Sequence, residues 1–580
     1  MDKHDVARIL EDIALFLSIQ GENPFKVRAY QNAARSIEDI DEAIETLIAE
    51  NRLKDVPGVG DKIRWKIEAL VLKGSLPFYE KLKKEVPPGL LELMDVPSLG
   101  AKKVKQIYDA FEIQSVEQLV EACENGQLST LKGFGPKTIE NILRNIENLK
   151  AYGKRMLWWD AKKLAYAMRE KLSKLKQVKK VEIAGSFRRK LETVGDLDFL
   201  VASNDPEFVM NWFSKQPSVE KVQARGPTKS SVRLKGGLQA DLRVVPEEEF
   251  AYALLYFTGS KDFDIFLRQR ANQLGFTLNE YGMQPLLGKR KKNPVCKTEE
   301  AIFQSLKLSY IPPELREGAA SIDAAEKGKL PKLVEEQDLR GTFHCHTADS
   351  DGHNTLTEMA AAAEELKWEY LGIADHSKSS YQANGMDEKR LFNQIDRIKE
   401  INQSRKFKVY LLAGLECDIL NDGTLDFPNE VLKHLDYVIT SVHRSFKMSE
   451  KEMTARLIKA IENPFTTMIG HVTGRLLLRR DPYLVNLPKI IDACIANGKI
   501  IELNAYPSRL DMDWRFWHHA AEKGLMCSIN PDAHSTDELQ YCSAGINCAR
   551  KGWLEKKHIL NTFPLAKVKS YLLENKQNTH

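Results

Sequence analysis

Through the first 150 residues apolar positions recur every three to four residues, as in VARILEDIALFLSI and IRWKIEALVL, which predicts amphipathic helices. Glycine-bearing turns separate them. Three such turns, at 57–62 (PGVGDK), 97–102 (PSLGAK) and 132–137 (KGFGPK), resemble one another, and each precedes an amphipathic helical run, so the region holds an internal repeat. From about residue 155 the period changes. VEIAG and DLDFLVAS read as strands, SVRLKGGLQADLRVVP as a hairpin turning at Gly236-Gly237, and FDIFLRQRANQLG as a helix. Residues 314–336 are polar and rich in small side chains, which predicts a linker, helical in part. After 337 seven strand-like runs (LRGTFHCH, YLGIAD, VYLLAGLE, YVITSVH, TTMIGH, KIIELNA, LMCSIN) alternate with helical ones such as LTEMAAAAEEL and EMTARLIKAI. Repeated βα units predict a parallel sheet, and seven of them a (β/α)7-type barrel.

At 580 residues the chain is too long for one core and predicts several domains. A hydrophobic fraction of 43% with 29% charged residues is ordinary for a folded soluble protein. A net charge of +4 does not argue for a nucleic-acid partner, so any basic face must be local. Eight cysteines without a C-x-x-C pair speak against a zinc ribbon or disulfide scaffold and suit a reducing cytosol. The charged start has no apolar core of signal-peptide type, and no run is long enough to span a bilayer; the expectation is a cytoplasmic protein without membrane contact.

Two clusters carry chemistry. Asp196 and Asp198 lie two apart on a predicted strand and share a face, and Asp241 on a neighbouring strand completes a triad. Three carboxylates in one cleft repel each other, and divalent cations relieve that cost. Upstream, Gly185-Ser186-Phe187-Arg188-Arg189 offers a tight turn and paired guanidiniums suited to a triphosphate. A lone D-x-D says little; this run followed by Gly195-Asp196-Leu197-Asp198 and a later strand Asp is specific.

With ADLRVVP, YFTGS (256–260) and GFTLNEYGMQPL in the same order, residues 1–312 resemble a family X DNA polymerase, the group that contains DNA polymerase beta. The resemblance implies a nucleotidyltransferase palm in which Asp196, Asp198 and Asp241 hold Mg2+, with Asp241 nearest the primer 3′-hydroxyl. It implies that Ser186, Arg189 and Gly195 lie near the nucleotide phosphates and that Tyr256, Phe257 and Gly259 line the sugar and base. Arg268 would touch the minor groove. Asp264 stands where an Asn contacting the incoming base is usual, and Gln239 where an Arg adjoins the catalytic Asp; both put nucleotide affinity in question.

The turns carrying Gly58, Gly60 and Lys62, and Gly133, Gly135 and Lys137, resemble helix-hairpin-helix motifs. Glycine lets backbone N–H groups at a helix start approach a phosphate, which gives salt-sensitive binding without a sequence code. The middle copy keeps Gly100 but has Ser98 at the first glycine position, so it binds DNA less well or braces the fold. The resemblance adds a monovalent cation at such turns. Lys66 follows Lys62 by one helical turn, and crowded ammonium groups lower one another's pKa, which favours a free amine able to form a Schiff base. It matches the lysine that removes a 5′-deoxyribose phosphate in beta-like proteins; a phosphate-contacting lysine is the plainer reading. Lys26 matches a phosphate-binding position.

In the barrel region His344 and His346 flank Cys345 on a strand, so the imidazoles share one side and the thiol faces the core. His376, Glu416, His443, His471, Asp532 and His534 fall at successive strand ends, with Asp351 nearby, where β/α barrels build active sites. One such His is usually structural; six with three acids are not. HCHT, ADHS, GLECDI, SVH, IGH and NPDAH resemble a PHP (polymerase and histidinol phosphatase) domain. That resemblance implies up to three Mn2+ or Zn2+ ions: one among His344, His346, Glu416 and Asp532, one among Glu416, His443 and His471, and one among Asp351, His376 and His534. Arg509 is a weaker phosphate-contact candidate, with a surface salt bridge as the alternative.

Together the halves resemble bacterial family X polymerases with a C-terminal PHP domain. This implies gap filling from dNTPs on gapped or primed DNA in base-excision repair, and a manganese-dependent 3′–5′ exonuclease with action at abasic sites or blocked 3′ ends. It is read as a monomer at the bacterial nucleoid. The expected division is 1–90 (helical, lyase-like), 91–150 (helix-hairpin-helix), 151–250 (palm), 251–313 (nucleotide selection), 314–336 (linker) and 337–580 (PHP). Two alternatives stay open: a PHP domain that hydrolyses small phosphate monoesters, and a DNA-binding scaffold with dead sites.

Overall fold

The computed structural model describes residues 3–577 apart from 39–43, 74, 95, 97–98, 153–154 and 287–291. Pro97 and Ser98 of the middle repeat thus lie outside the described residues. The chain forms two compact units, Met1–Gly153 and Lys154–His580.

The first unit is helical, as the 3.6-residue period requires. One hydrophobic cluster runs from Val6 to Ile146 and includes Leu90 and Leu93, next to the expected boundary at residue 90. Gly60, Gly100 and Gly135 open the helices Asp61–Lys73, Ala101–Phe111 and Pro136–Tyr152, their carbonyls accepting the first helical N–H bonds. Gly58 and Gly133 have φ near +77° and +93°, which excludes most side chains. At Gly60, Gly100 and Gly135 a Cβ would meet nothing within 4 Å, so packing inside the protein does not explain those glycines.

In the second unit a five-stranded sheet has the order Val178–Ile183, Asp196–Ser203, Gln239–Val245, Lys229–Leu234, Val219–Arg225. The two Asp-bearing strands are parallel neighbours with Asp198 opposite Asp241. The Gly236-Gly237 hairpin forms, both glycines at φ near +90°. Helices Phe250–Thr258 and Lys261–Gln273 and the hairpin of Phe276–Asn279 with Gly282–Pro285 follow.

Residues 314–336 hold the helix Ala319–Glu326, in keeping with a partly helical segment, but its start is packed rather than exposed: Arg316 is fully buried against Glu299 (2.6 Å). Glu314 pairs with Arg550 (2.9 Å) and Glu317 with Lys551. Ion pairs to residues more than two hundred positions away anchor the start of this polar stretch, a cause its local composition does not carry.

Beyond it the βα alternation holds, with one departure. VYLLAGLE forms two strands, Tyr410–Ala413 and Glu416–Asp418, broken at Gly414, where a Cβ would stand 2.3 Å from Tyr437 Cζ. The parallel strands form sheets of three (Gly341–Cys345, Tyr370–Ile373, Tyr410–Ala413) and five (Glu416–Asp418, Ile439–Ser441, Met468–Ile469, Ile500–Asn504, Cys527–Asn530). Parallel bridges join the two sheets: Cys345↔Ala533, and His376↔Glu416, where His376 lies just past the middle strand Tyr370–Ile373. One strand face packs on the flanking helices through residues such as Leu371, Leu411 and Ile501. The other gathers Phe343, Tyr370 and Tyr437, closed at one end by Val568 and Leu572 of the helix Leu565–Gln577.

Candidate active sites

In the palm, parallel pairing sets the Asp198 and Asp241 strands side by side, so repulsion among the acids is built into the register. Burial, then Asp196 and Asp241, push Asp198 up to about 7; burial and Asp241 raise Asp196. Burial would raise Asp241 too, but hydrogen bonds from Lys229, Ser231 and Gln239 hold it below the usual carboxylate range. Lys229 Nζ lies 2.7 Å from Asp241 Oδ2 and Gln239 Nε2 donates to Oδ1 at 3.0 Å. Lys229, from the next strand, was not singled out in the sequence; it supplies the cation that Gln239 lacks. At Gly185, with φ +60°, a Cβ would stand 2.2 Å from Asp198 Oδ2, so the turn must be glycine for the loop to close over the carboxylate.

The loop's two arginines diverge. Arg188 makes a bidentate pair with Glu299 (2.9 and 2.7 Å) and bonds Thr258 Oγ1, so both of its terminal nitrogens are engaged within the protein, unlike the pair of phosphate-facing guanidiniums that the sequence suggested. Arg189 bonds Glu317 through Nε (3.1 Å) and the Thr258 carbonyl through Nη1. Ser186 is half-buried on the short helix Gly185–Arg188, and Gly195 lies beside Arg155. Gly259 (φ +67°) sits next to Arg189, Tyr256 and Phe257 meet edge to face, and Arg268 Nε donates to the Asp264 carbonyl. Burial pushes Asp264 up to about 7.

In the helical unit Lys62 and Lys137 are exposed beside their glycine turns, and Lys26 pairs loosely with Glu22 (3.2 Å). Lys66 is half-buried, bonds Tyr30 Oη and lies 3.8 Å from the Phe78 ring centre. Burial, then Lys26 and Lys62, lower its pKa.

At the C-terminal strand ends all nine expected acids and imidazoles converge. Glu416, 1% exposed, is the centre. Its carboxylate is 3.3 Å from His344 Nε2, 3.8 Å from His346 Nε2, 2.8 Å from His376 Nδ1, 3.2 Å from His443 Nε2 and 3.0 Å from His471 Nε2. Asp532 lies 3.2 Å from His346 and 3.5 Å from His344; Asp351 lies 3.5 and 3.6 Å from His534 and His376. Donor atoms cluster as His346, Asp351, His376 and His534; as His344, His346 and Glu416; and as His376, Glu416 and His443. The expected sets are therefore interleaved, because His376 presents one nitrogen to Glu416 and the other to Asp351.

This arrangement fits divalent ions. His344 Nε2, His346 Nδ1, His376 Nδ1 and Glu416 Oε2 are buried without a hydrogen bond, although other polar atoms lie close by. Atoms that converge without aligning as donor and acceptor have the geometry of ligands awaiting a shared cation. Burial pushes His346 down to about 3 and His471 to about 4, which keeps those imidazoles neutral and able to coordinate. The backbone is strained at three of the nine: His344, His471 and Asp532 have positive φ.

A second layer of acids was not foreseen. Glu502, fully buried, accepts from His344 Nδ1 at 2.9 Å, and Asp418 bonds His443 Nδ1. Asn504 donates to Asp532 at 3.0 Å, and Arg509 lies 3.3 Å from the same carboxylate, making it a partner of a ligand rather than a surface pair. Asp375 accepts from Thr347 N, Thr347 Oγ1 and Gln394, fixing the loop after His346. The D-H dipeptide at 375–376 and the acid two residues after Glu416 were visible signals for two of these.

A carboxylate triad under a glycine-closed phosphate loop, and an imidazole–carboxylate metal centre at the strand ends of a βα domain, define a two-site phosphoryl-transfer protein. Family models match in the same order: a helix-hairpin-helix domain at 1–76, a SAM-like helix-hairpin-helix tandem at 90–148, DNA polymerase beta palm at 156–242, DNA polymerase beta thumb at 253–317 and a PHP domain at 342–506. The chain is 36% identical over 579 residues to the DNA polymerase/3′-5′ exonuclease PolX of Bacillus subtilis (strain 168), covering 99% of this chain and 100% of that one. A probable phosphatase of Thermoanaerobacter sp. (strain X514) is 28% identical over 246 residues, 40% of this chain and 94% of its own. One of Vibrio parahaemolyticus is 28% identical over 244 residues, 40% and 93%. The chain belongs to the bacterial family X DNA polymerases that carry a C-terminal PHP domain.

Glu502→Gln keeps the shape but removes the charge behind His344. Calorimetric titration of the full chain with Mn2+ is expected to show affinity at the C-terminal site falling roughly tenfold, as for outer partners of metal-bound histidines; unchanged affinity would remove Glu502 from the site.

Proposed function

We propose that the chain is a DNA-directed DNA polymerase that fills short gaps during DNA repair, and that its PHP domain is a metal-dependent 3′–5′ exonuclease. The end-to-end match to PolX carries this reading, and the convergence of the nine acids and imidazoles around Glu416 and Asp532 supports it. DNA is the shared substrate, with dNTPs consumed at the palm. No helix among the described residues is long and apolar enough to cross a membrane, and on this reading the enzyme works on nucleoid DNA in the cytoplasm.

In the palm the primer's 3′-hydroxyl oxygen attacks the α-phosphorus, and the bond to the β-phosphate breaks as the new ester forms. Asp241, kept ionised by Lys229 and Gln239, faces the hydroxyl and accepts its proton. Asp196 and Asp198 would hold Mg2+ with Asp241, and divalent ions at this centre would neutralise the triphosphate and the departing pyrophosphate. Arg189 and the Gly185 turn hold the phosphates, and Tyr256, Phe257 and Gly259 frame sugar and base. In the PHP site a water oxygen attacks the phosphorus of the terminal phosphodiester, and the bond from phosphorus to the 3′-oxygen of the shortened strand breaks. That oxygen takes up a proton, and the terminal residue departs as a 5′-mononucleotide; the mixed nitrogen and oxygen set would suit Mn2+ or Zn2+, up to three. The helical unit holds the DNA through its glycine turns, the resemblance adding a monovalent cation there.

The two activities should separate. On gapped primer-template with Mn2+, Asp198→Ala is expected to lose extension and keep 3′ shortening, and His344→Ala the reverse. Extension by Asp198→Ala would refute the palm assignment. Loss of p-nitrophenyl phosphate hydrolysis in His344→Ala, with 3′ shortening intact, would favour the phosphomonoesterase reading that the phosphatase relatives suggest.

Lys66 is the proposed lyase nucleophile: its amine adds to the C1′ aldehyde of a 5′-deoxyribose phosphate, and water leaves as the imine forms. Elimination breaks the C3′–O bond and frees the DNA 5′-phosphate, and water then hydrolyses the imine to release the sugar phosphate and the amine. Borohydride should trap a protein–DNA adduct that Lys66→Ala lacks; trapping at wild-type level in that variant would exclude Lys66.

Asp264 makes nucleotide binding pH-dependent. Raised to about 7, the carboxyl is neutral below that pH and donates to the base as the usual Asn would; above it, a negative charge stands where that donor is needed. KM for dNTP should rise on the order of tenfold between about pH 6 and pH 8, and the slope should flatten in Asp264→Asn. An equal slope in both would dissociate Asp264 from the base.

A further inference from the structure

The nucleotide loop of the palm is clamped from the PHP domain. Lys551, at the end of the helix Cys542–Lys551, is a fully buried lysine far from both reaction centres in sequence. Its Nζ donates to the Arg189 carbonyl at 3.2 Å and to the Glu314 carbonyl at 3.4 Å, and ion-pairs with Glu317 Oε1. That same Glu317 oxygen receives Arg189 Nε at 3.1 Å. One ammonium therefore holds both the backbone and, through a shared carboxylate, the guanidinium of Arg189. Trp514 lies under the ammonium, 4.5 Å from ring centre to nitrogen, and screens the cluster from water.

A second tie acts three residues on. Glu192 lies 3.4 Å from Arg475, which is itself paired with Asp513 at 2.7 Å, and Trp159 meets Tyr541 edge to face. The 189–192 segment is thus pinned at both ends to the PHP domain.

Arg189 uses Nε for Glu317 and Nη1 for the Thr258 carbonyl, which fixes the plane of the guanidinium; Nη2 has no hydrogen-bond partner among the described residues. A planar cation held on two edges with the third donor free is pre-organised for an anion.

We propose that Lys551 is a positioning residue for the polymerase reaction, contributed by the exonuclease domain, which through Glu317 and the Arg189 carbonyl holds Arg189 against the triphosphate of the incoming nucleotide. This rests on the nucleotide-binding reading of Arg189. It explains why a buried ammonium is retained at a domain contact: the desolvation cost of an unpaired lysine is large, and only a matched carboxylate and carbonyls offset it. It also gives the PHP domain a part in synthesis that does not involve its own metal ligands.

The test uses the full chain on gapped DNA and compares Lys551→Met, Lys551→Arg, Glu317→Gln and Arg189→Ala, reading dNTP KM, kcat, pyrophosphate inhibition and 3′ shortening. Lys551→Met and Glu317→Gln should raise KM and weaken pyrophosphate inhibition roughly tenfold, the loss expected for one charge-assisted hydrogen bond, with kcat within about twofold. Lys551→Arg should restore most of the affinity, and 3′ shortening, unchanged throughout, reports that the PHP domain is folded. If Arg189→Ala leaves KM and pyrophosphate inhibition unchanged, the reading of Arg189 fails. If Arg189→Ala raises both but Lys551→Met and Glu317→Gln do not, or if kcat and 3′ shortening fall together in Lys551→Met without rescue by Arg, the positioning role is overturned.

Discussion

Clustering buried polar atoms that cannot satisfy one another is the constraint on which this molecule is built. Each buried donor or acceptor left without a partner costs about 1–3 kcal/mol, and the PHP centre gathers several around Glu416. Such a cluster would relax apart on a soft scaffold. Here its members sit at the ends of parallel strands whose backbones hydrogen-bond in register, over a floor of Phe343, Tyr370 and Tyr437. His344, His471 and Asp532 have positive φ, so the backbone itself is bent where it turns these side chains toward Glu416. The palm meets the same constraint with fewer atoms: Asp198 and Asp241 are cross-strand partners, and the sheet does not let them separate.

Much of this was legible in the chain because both sites lie where the local period changes. Asp196-Leu197-Asp198 ends a loop and begins a strand, and the histidines close apolar runs, so strand ends and ligands could be read together. What escaped was long-range. Glu502 sits inside KIIELNA, an apolar run in which one acid looks incidental, and only the fold shows it behind His344. Arg188 and Arg189 are identical in local context, yet one is committed to Glu299 and the other to Glu317, each more than a hundred residues away. The 314–336 stretch reads as a linker for the same reason: its buried charges find their partners in helices encoded elsewhere.

The repeated turns of the helical unit illustrate the converse. Gly58 and Gly133 are explained by their own φ angles, but Gly60 and Gly135 are not, since neither backbone geometry nor neighbours forbid a side chain there. A glycine without an internal reason points outward, to something that must approach the backbone closely. Sequence alone could not divide the two kinds; the folded backbone does.

The departures from the beta-like pattern also acquire a physical meaning. Gln239 is a loss only if Asp241 needs its cation from its own strand. Lys229, one strand over, stands 2.7 Å from that carboxylate while Gln239 bonds the other oxygen, so the acid keeps a charge partner and a neutral donor on separate oxygens. A lysine on a flexible stem is a softer hold than an arginine fork, and it can yield Oδ2 to an arriving cation more readily. The exchange therefore keeps Asp241 ionised while leaving one of its oxygens easier to free, which suits the part proposed for it in accepting a proton and holding a metal.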